Sequence, residues 1–256
     1  GWSIEMHEYL EDFPDKPDVL RYALLTNLPE AKDSEFTWKD FQAKNNNELV
    51  AIFGNFVNRA VVLTQKYFEG KVPPQKEITE LDKKVLADLK EMPNKIAASI
   101  EVFRFREATA NFIDLARIGN KYLAETEPWK LAKTDLDRVG TILNISLQIA
   151  ASLSVVGEPF LPFTSGKLKS LLGVDALTWQ QAGDANVLKA GALLKEAPLL
   201  FEKIEDVVIE KQIKKLLDSK RAMELESQPT TPAKPEISFD DFSKIDIRIG
   251  KIQKAE

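Results

Sequence analysis

Asn55 and Arg59 stand four residues apart in the patch Gly54-Asn55-Phe56-Val57-Asn58-Arg59, and a second patch, Pro128-Trp129, follows much further along. On a helix that spacing puts the amide and the guanidinium on one face. The amide both donates and accepts hydrogen bonds, and the guanidinium presents a planar fork of donors, so together they have the chemistry to read the edge of a splayed base. Trp129 would supply a ring on which the base stacks. From spacing alone the same residues also read as a surface Asn and Arg on a bundle helix and a buried Trp. Both patches break a local rule. A glycine inside a helix costs about 1 kcal/mol against alanine, so a packing or binding gain should offset Gly54.

The elements that must position these groups are helices. Apolar residues from Trp38 to Phe68 (Phe41, Leu49, Ile52, Phe53, Phe56, Val57, Val61, Leu63) recur at spacings of three and four, which predicts one long amphipathic helix stopped by Gly70, Pro73 and Pro74. Before it, Ser3 to Leu25 predicts short helices broken at Pro14 and Pro17, and Asn27 to Trp38 a loop. Thr79, backed by Glu80 and Asp82, predicts the N-cap of a second helix that Pro93 should kink or end. A third helix is expected over roughly Phe105 to Leu123, Pro128 restarts the chain as a first-turn proline, and Asp135 caps a fourth long helix running to Gly157. A shorter helix follows through Leu168, Leu171 and Leu172, then a weaker pattern punctuated by Gly183, Gly191 and Pro198, then a charged helix over Ile204 to Leu225. The fold class is therefore all-α, a helical bundle.

Composition narrows the function. With 44% hydrophobic residues in 256, the chain can bury a sizeable core. It has no cysteine and one histidine, His7, which excludes thiolate metal sites and an imidazole-based triad; His7 reads as a solvated helix residue. No glycine-rich phosphate loop or carboxylate pair stands out, so no catalytic residue and no metal ligand is assigned. A net charge of -5 argues against gripping nucleic acid through a general field, so any such contact must be local and shaped. The early Glu5, Glu8, Glu11 and Asp12 fit neither a signal nor a transit peptide, which points to the cytoplasm. Val139 to Gly157 is uncharged and nearly long enough to span a membrane, but Asn144, Ser146, Gln148, Ser152 and Ser154 mark it as a buried bundle helix, and no membrane partner is expected.

Near the C-terminus the grammar changes. Gln228 to Pro235 carries three prolines and almost nothing to bury, as a disordered linker does. Ile245 to Ile252 alternates apolar and polar residues at period two, the pattern of a strand beginning a separate β domain. A lone strand cannot fold stably, so the sequence reads as a piece of a longer protein.

Asn47-Glu48-Leu49, the Gly54 to Arg59 patch, Asn120-Lys121-Tyr122 and Pro128-Trp129, in this order and spacing, resemble the anticodon-binding helical bundle of methionyl-tRNA synthetases. Gly1-Trp2-Ser3-Ile4, Glu8-Tyr9-Leu10 and Asp18-Val19-Leu20-Arg21-Tyr22 resemble the segment following that family's Lys-Met-Ser-Lys-Ser loop, and Asn27-Leu28-Pro29-Glu30 with Asp33 to Trp38 continues the match. Asp241 to Ile252 is similar to the first strand of the tRNA-binding OB domain appended to many bacterial members, so the resemblance covers essentially the whole chain. It implies four parts: residues 1–37 joining the catalytic core to the bundle, 38–226 the bundle, 227–237 the linker, and 238–256 the start of a truncated OB-fold. By position Asn55 and Arg59 match residues that hydrogen-bond anticodon bases, and Trp129 matches the tryptophan on which the first anticodon base, a cytosine, stacks. Asn120, Tyr122 and Pro128 match as secondary pocket residues. Where some relatives place acidic residues around this pocket, the chain has Arg117 and Ala124.

The implied partner is the anticodon loop of a methionine tRNA. The family joins methionine to its tRNA using ATP, with zinc carried in the catalytic domain, but its His-Ile-Gly-His and Lys-Met-Ser-Lys-Ser signatures are missing here. This piece alone is expected to be inactive, to need no cofactor, and to be a monomer, whereas the full-length enzyme would dimerise through its OB domain. Two other readings stand beside this one: a helical protein-interaction module, and the anticodon domain of a related synthetase for isoleucine, leucine or valine. The spacing from Asn55 and Arg59 to Pro128-Trp129 speaks against the last.

Overall fold

The computed structural model describes residues 5–30, 33–195, 199–226, 236 and 238–246. Helices α1 (Met6–Asp12) and α2 (Pro17–Thr26) precede a continuous helical rod made of α3 (Trp38–Ala43), a π-helix (Lys44–Gly54) and α4 (Asn55–Phe68). Then come α5 (Glu80–Glu101), α6 (Phe105–Thr126), the single turn α7 (Pro128–Leu131), α8 (Leu136–Val156), α9 (Pro162–Leu172), a short 3-10 turn (Trp179–Gln181), α10 (Asp206–Glu226) and α11 (Phe239–Phe242). The chain divides into two units, residues 1–213 and 214–256.

In the first unit the bundle is built around α8. All of this helix from Val139 to Val156 is buried, as an all-round apolar helix requires. Of the polar residues that mark it as a bundle helix, Ser146 and Ser154 bond back to Ile142 and Ala151 within α8, while Asn144 and Gln148 tie loops to the core. Asn144 donates to the Pro73 carbonyl at 2.6 Å, and Gln148 exchanges two hydrogen bonds with the backbone of Leu188 at 2.9 and 3.0 Å. The loop after α4 is held from the other side, where Val72 N–H donates to Ala192 O and Leu194 N–H to Gly70 O, each at 2.8 Å.

The expected caps form. The Thr79 hydroxyl accepts from Asp82 N–H while the Asp82 carboxylate accepts from Thr79 N–H, a reciprocal box, and the Asp135 carboxylate accepts from Arg138 N–H at the start of α8. His7 is exposed on α1, and the break between α1 and α2 contains Pro14 and ends at Pro17, the first residue of α2. Pro93 does not end the helix, because α5 continues through it to Glu101. A mid-helix proline removes one hydrogen bond and costs about 3 kcal/mol. Here Met92, Pro93 and Ile96 are buried in the core, and that burial offsets the cost. The freed region is also closely packed: a Cβ on Gly183, at φ +88°, would stand 3.0 Å from the Leu89 carbonyl oxygen.

Residues from the first 37 share this core. Tyr9 and Phe13 stack at 5.1 Å between centroids, and Phe13 lies 5.7 Å from Trp38. Asp18 caps α9 by accepting from Thr164 N–H at 2.6 Å, and the Arg21 guanidinium donates twice to the Pro159 carbonyl. In the second unit the end of α10 exposes Leu217 and Met223, and Ser238 caps α11. The linker expected at 228–235 lies outside the described residues, as does the strand expected at Ile245–Ile252 except for Ile245 and Asp246, which have no regular structure.

Candidate nucleic-acid interface

The π-helix explains the asparagine-rich run before the first patch. Asn46 exchanges two hydrogen bonds with the backbone of Ile204, both 2.9 Å, and Asn45 donates to Glu202 O at 2.9 Å. Glu48 accepts from Lys44 Nζ at 3.0 Å and from the Tyr22 hydroxyl. Burial first, and the facing Glu48 carboxylate second, push that phenol well above its ordinary pKa. These residues hold the 202–206 segment and α2 against the rod. Gly54 closes the wide turn: a Cβ there would lie 3.0 Å from the Leu49 carbonyl oxygen and 3.5 Å from the Phe201 ring, which accounts for its presence in a helix.

From Gly54 onward the rod is α-helical, and Phe56, Val57, Ala60 and Thr64 turn into the core. Asn55 is left exposed, with Arg59 one turn on and half-buried. The seam with α6 sets their height. Phe56 packs against Gly119, where any Cβ would stand only 2.3 Å from its ring. That contact brings together the residue before Phe56 and the residue after Gly119, and Asn55 Nδ2 donates to Asn120 Oδ1 at 3.2 Å. Asn120 Nδ2 in turn donates to the Ile52 carbonyl at 2.8 Å.

The chain then turns a corner at the end of α6. Pro128 cannot continue the helix and disfavours the right-handed conformation at the residue before it. Glu127 accordingly adopts a left-handed conformation (φ 42°, ψ 55°), and Pro128 is buried at the first position of α7. A left-handed non-glycine residue costs roughly 1–2 kcal/mol, and the Glu127 carboxylate partly offsets it by pairing with Lys130 Nζ at 2.8 Å. The result returns Trp129 over α4, with Arg59 Cζ 5.1 Å from the centroid of its ring. At 37% exposure the indole is a surface plate rather than a core residue.

The structure thus brings together Asn55, Arg59, Asn120 and Trp129, with Pro128 beneath the turn. It does not bring Tyr122 with them. Tyr122 is buried, and its hydroxyl donates to Asp82 at 2.6 Å, because a residue two positions from Asn120 lies on another face of α6. Its role is structural. The same carboxylate receives both Arg138 Nη1 at 2.5 Å and Arg138 Nη2 at 2.8 Å. Burial alone would lift the Asp82 carboxyl. The Arg138 hydrogen bonds first, then those of Tyr122 and the Thr79 backbone, outweigh it and hold the pKa at about 2. This ion pair joins α5, α6 and α8 beside the corner; Thr79-x-x-Asp82 was legible as a cap, but its partners on two other helices were not. Arg117, three residues before Asn120 on the same exposed face, pairs with Asp114 at 2.6 Å, and Ala124 is exposed four residues after it.

Among the described residues no cluster of three or more His, Cys, Asp and Glu could hold a metal.

A family model for the anticodon binding domain of methionyl tRNA ligase matches residues 72–220, and one for class I tRNA synthetases (M) matches residues 1–61. The chain is similar over its full length to methionine–tRNA ligases of Bacteroides fragilis strain YCH46 (56% identical, 38% of that protein covered) and Cytophaga hutchinsonii (58% identical, 37% covered). It therefore spans well under half the length of these relatives. Its fold is similar to the crystal structure of apo methionyl-tRNA synthetase from Mycobacterium tuberculosis, with a TM-score of 0.67 at 23% identity over 73% of this chain and 39% of that one. The helical bundle, its corner at Pro128 and these matches together assign the chain to the methionyl-tRNA synthetase family, as its anticodon-binding part.

Proposed function

We propose that the bundle docks the anticodon loop of a methionine tRNA, stacks an unpaired pyrimidine, the first anticodon base, on Trp129, and reads it with Asn55 and Arg59. The observation that carries this reading is the approach of the Arg59 guanidinium to the Trp129 ring at 5.1 Å, from two separate helices. An aromatic plate beside a donor fork is what a splayed base requires. Stacking supplies about 1–3 kcal/mol per base, and a mismatched base leaves polar groups unpaired. A local site of this kind needs no basic surface, in keeping with a net charge of -5.

In the longer protein, residues 1–37 would join the catalytic core to the bundle at 38–226, with the linker at 227–237 and the tRNA-binding OB domain from 238 onward. Tyr9, Phe13 and Asp18 are rooted in the same core as the site, which supports a rigid connection through which anticodon binding orients the acceptor end of the tRNA. That enzyme would join methionine to tRNA using ATP in the cytoplasm and dimerise through its OB domain. Neither ATP nor zinc chemistry falls to the residues of this chain.

The test is binding of the 256-residue chain to an RNA hairpin bearing the methionine anticodon loop and to one with the first cytosine replaced. Preference for the first, lost in Trp129→Ala and Arg59→Ala, supports the reading. Equal binding to both hairpins, or indifference to both substitutions, overturns it in favour of a protein-interaction module.

A further inference from the structure

We propose that Asn120 is a positioning residue that sets the hydrogen-bonding polarity of Asn55, so that the pocket accepts a base edge carrying an exocyclic amino group and rejects a keto edge. The inference rests on the anticodon reading and adds to it the residue that fixes which edge of the base is accepted.

The constraint on Asn55 begins in the π-helix. Its last turn directs the Asn55 backbone N–H to the carbonyls of Val50 and Ile52. A carbonyl oxygen has two lone pairs, and Ile52 uses the remaining capacity to accept from Asn120 Nδ2 at 2.8 Å. The same nitrogen reaches the Ala116 carbonyl at 3.3 Å. Both partners only accept, so the nitrogen of the Asn120 amide must face them; turned over, its oxygen would meet two carbonyl oxygens and lose both bonds. Oδ1 of Asn120 is thereby committed to the opposite side, where it accepts from Asn55 Nδ2 at 3.2 Å. Reversing Asn55 would set two amide oxygens against each other. A backbone carbonyl therefore dictates, through two side-chain amides, that Asn55 offers its oxygen as the outward acceptor.

Arg59 on the next turn offers only donors. An acceptor beside a donor fork complements the edge of cytosine, whose amino group donates next to ring and carbonyl acceptors. Uracil reverses that pattern, presenting a carbonyl oxygen and a ring N–H in its place. The side-chain relay thus selects between two pyrimidines of nearly the same shape, which stacking on Trp129 cannot do.

The experiment measures affinities of the 256-residue chain, Asn120→Ala and Asn120→Asp for methionine anticodon hairpins with cytosine or uridine at the first anticodon position. In the alanine variant the Asn55 amide is free to turn, and the cytosine-to-uridine affinity ratio should narrow by about 3- to 10-fold, the size of one hydrogen bond's bias. The aspartate variant has no donor for the Ile52 and Ala116 carbonyls, so it loses the anchor that orients residue 120 and should narrow the ratio as the alanine variant does. Side-chain amide NMR of Asn55 without RNA adds an independent reading: its resonances should move in Asn120→Ala. Equal loss of affinity for both hairpins in Asn120→Ala, with the ratio intact, would show a merely structural role and overturn the proposal. Unmoved Asn55 resonances would overturn the contact itself. Failure of the unsubstituted chain to bind either hairpin would instead overturn the anticodon reading, while the NMR arm still reports on the relay.

Discussion

The guanidinium of Arg59 lies over the indole of Trp129 at 5.1 Å, although the two residues are seventy positions apart and belong to different helices. A cation placed so is attracted to the ring face by about 0.5–1 kcal/mol at an exposed site. It also covers part of the plate on which a base would stack, so an incoming base must share or displace that contact. Trp129→Ala should then weaken hairpin binding by about 5- to 150-fold, the equivalent of one stacked base. Because Trp129 is 37% exposed and lies outside the core, the melting temperature should fall by only a few degrees. Arg59→Lys keeps the charge but not the fork, and should lose discrimination between hairpins more than affinity. Titration with fluorescently labelled RNA, alongside thermal melts, checks all of these outcomes.

Recognition through one plate and one fork also predicts a shallow salt dependence. Lys130 is already paired with Glu127 at 2.8 Å, and Arg117 with Asp114 at 2.6 Å, so few cations near the site remain to neutralise phosphates. The plot of log affinity against log salt should have a slope of magnitude no greater than about 1.5, corresponding to roughly two phosphate contacts on a single strand. A steep slope would mean that a basic surface elsewhere carries the binding.

Tyr122→Phe separates the core from the pocket. Removing the hydroxyl deletes its hydrogen bond to the buried Asp82 carboxylate, at 2.6 Å, and should destabilise the fold by about 1–3 kcal/mol. Because Tyr122 is buried away from Asn120, preference among hairpins should persist in the folded protein. Denaturant melts and hairpin titrations on the same preparation measure the two effects.

What the sequence disclosed, and what it hid, follows from the range of each interaction. Thr79, Asp135 and Pro128 announced helix starts because capping acts within one turn, and the polar residues of α8 announced a buried helix because periodicity is local. Asn55 and Arg59 shared a predicted face for the same reason. Burial of Pro93 inside α5 was hidden, because the packing that offsets its cost comes from other parts of the chain. So was the left-handed turn at Glu127, although the proline after it was a signal for a non-helical residue. Tyr122 was placed by its neighbours in the motif, and only the position of Asp82 forty residues away shows that it faces inward.

Gly119→Ala tests whether the seam between α4 and α6 sets the site. Alanine has the better helix propensity by about 1 kcal/mol, so an isolated helix would gain from the change. In the bundle its Cβ would fall 2.3 Å from the fully buried Phe56 ring, which must move. Overpacking of this kind costs about 1–3 kcal/mol, enough to cancel the propensity gain. The displacement should separate Asn55 from Asn120, so hairpin discrimination should fall even at temperatures where the variant stays folded. A stable variant with intact discrimination would show that the seam tolerates the shift.

Asp82 gives the fold a specific acid sensitivity. Its carboxyl is held at about 2 against an ordinary 3.8, so the folded state favours the ionised form. A depressed pKa adds stability that is fully present above the unfolded value and is lost as pH falls through the folded one. A drop of nearly two units is worth roughly 2 kcal/mol, which should disappear between about pH 4 and pH 2. Asp82→Asn should remove this part of the acid transition, and should also be less stable at neutral pH, because the half-buried Arg138 loses its charged partner. Urea melts at neutral pH and near pH 3 decide the matter: stability of the parent should fall more steeply than that of the variant across the interval. Parallel falls would assign the acid sensitivity to other carboxylates and leave the link between α5 and α8 without an energetic role.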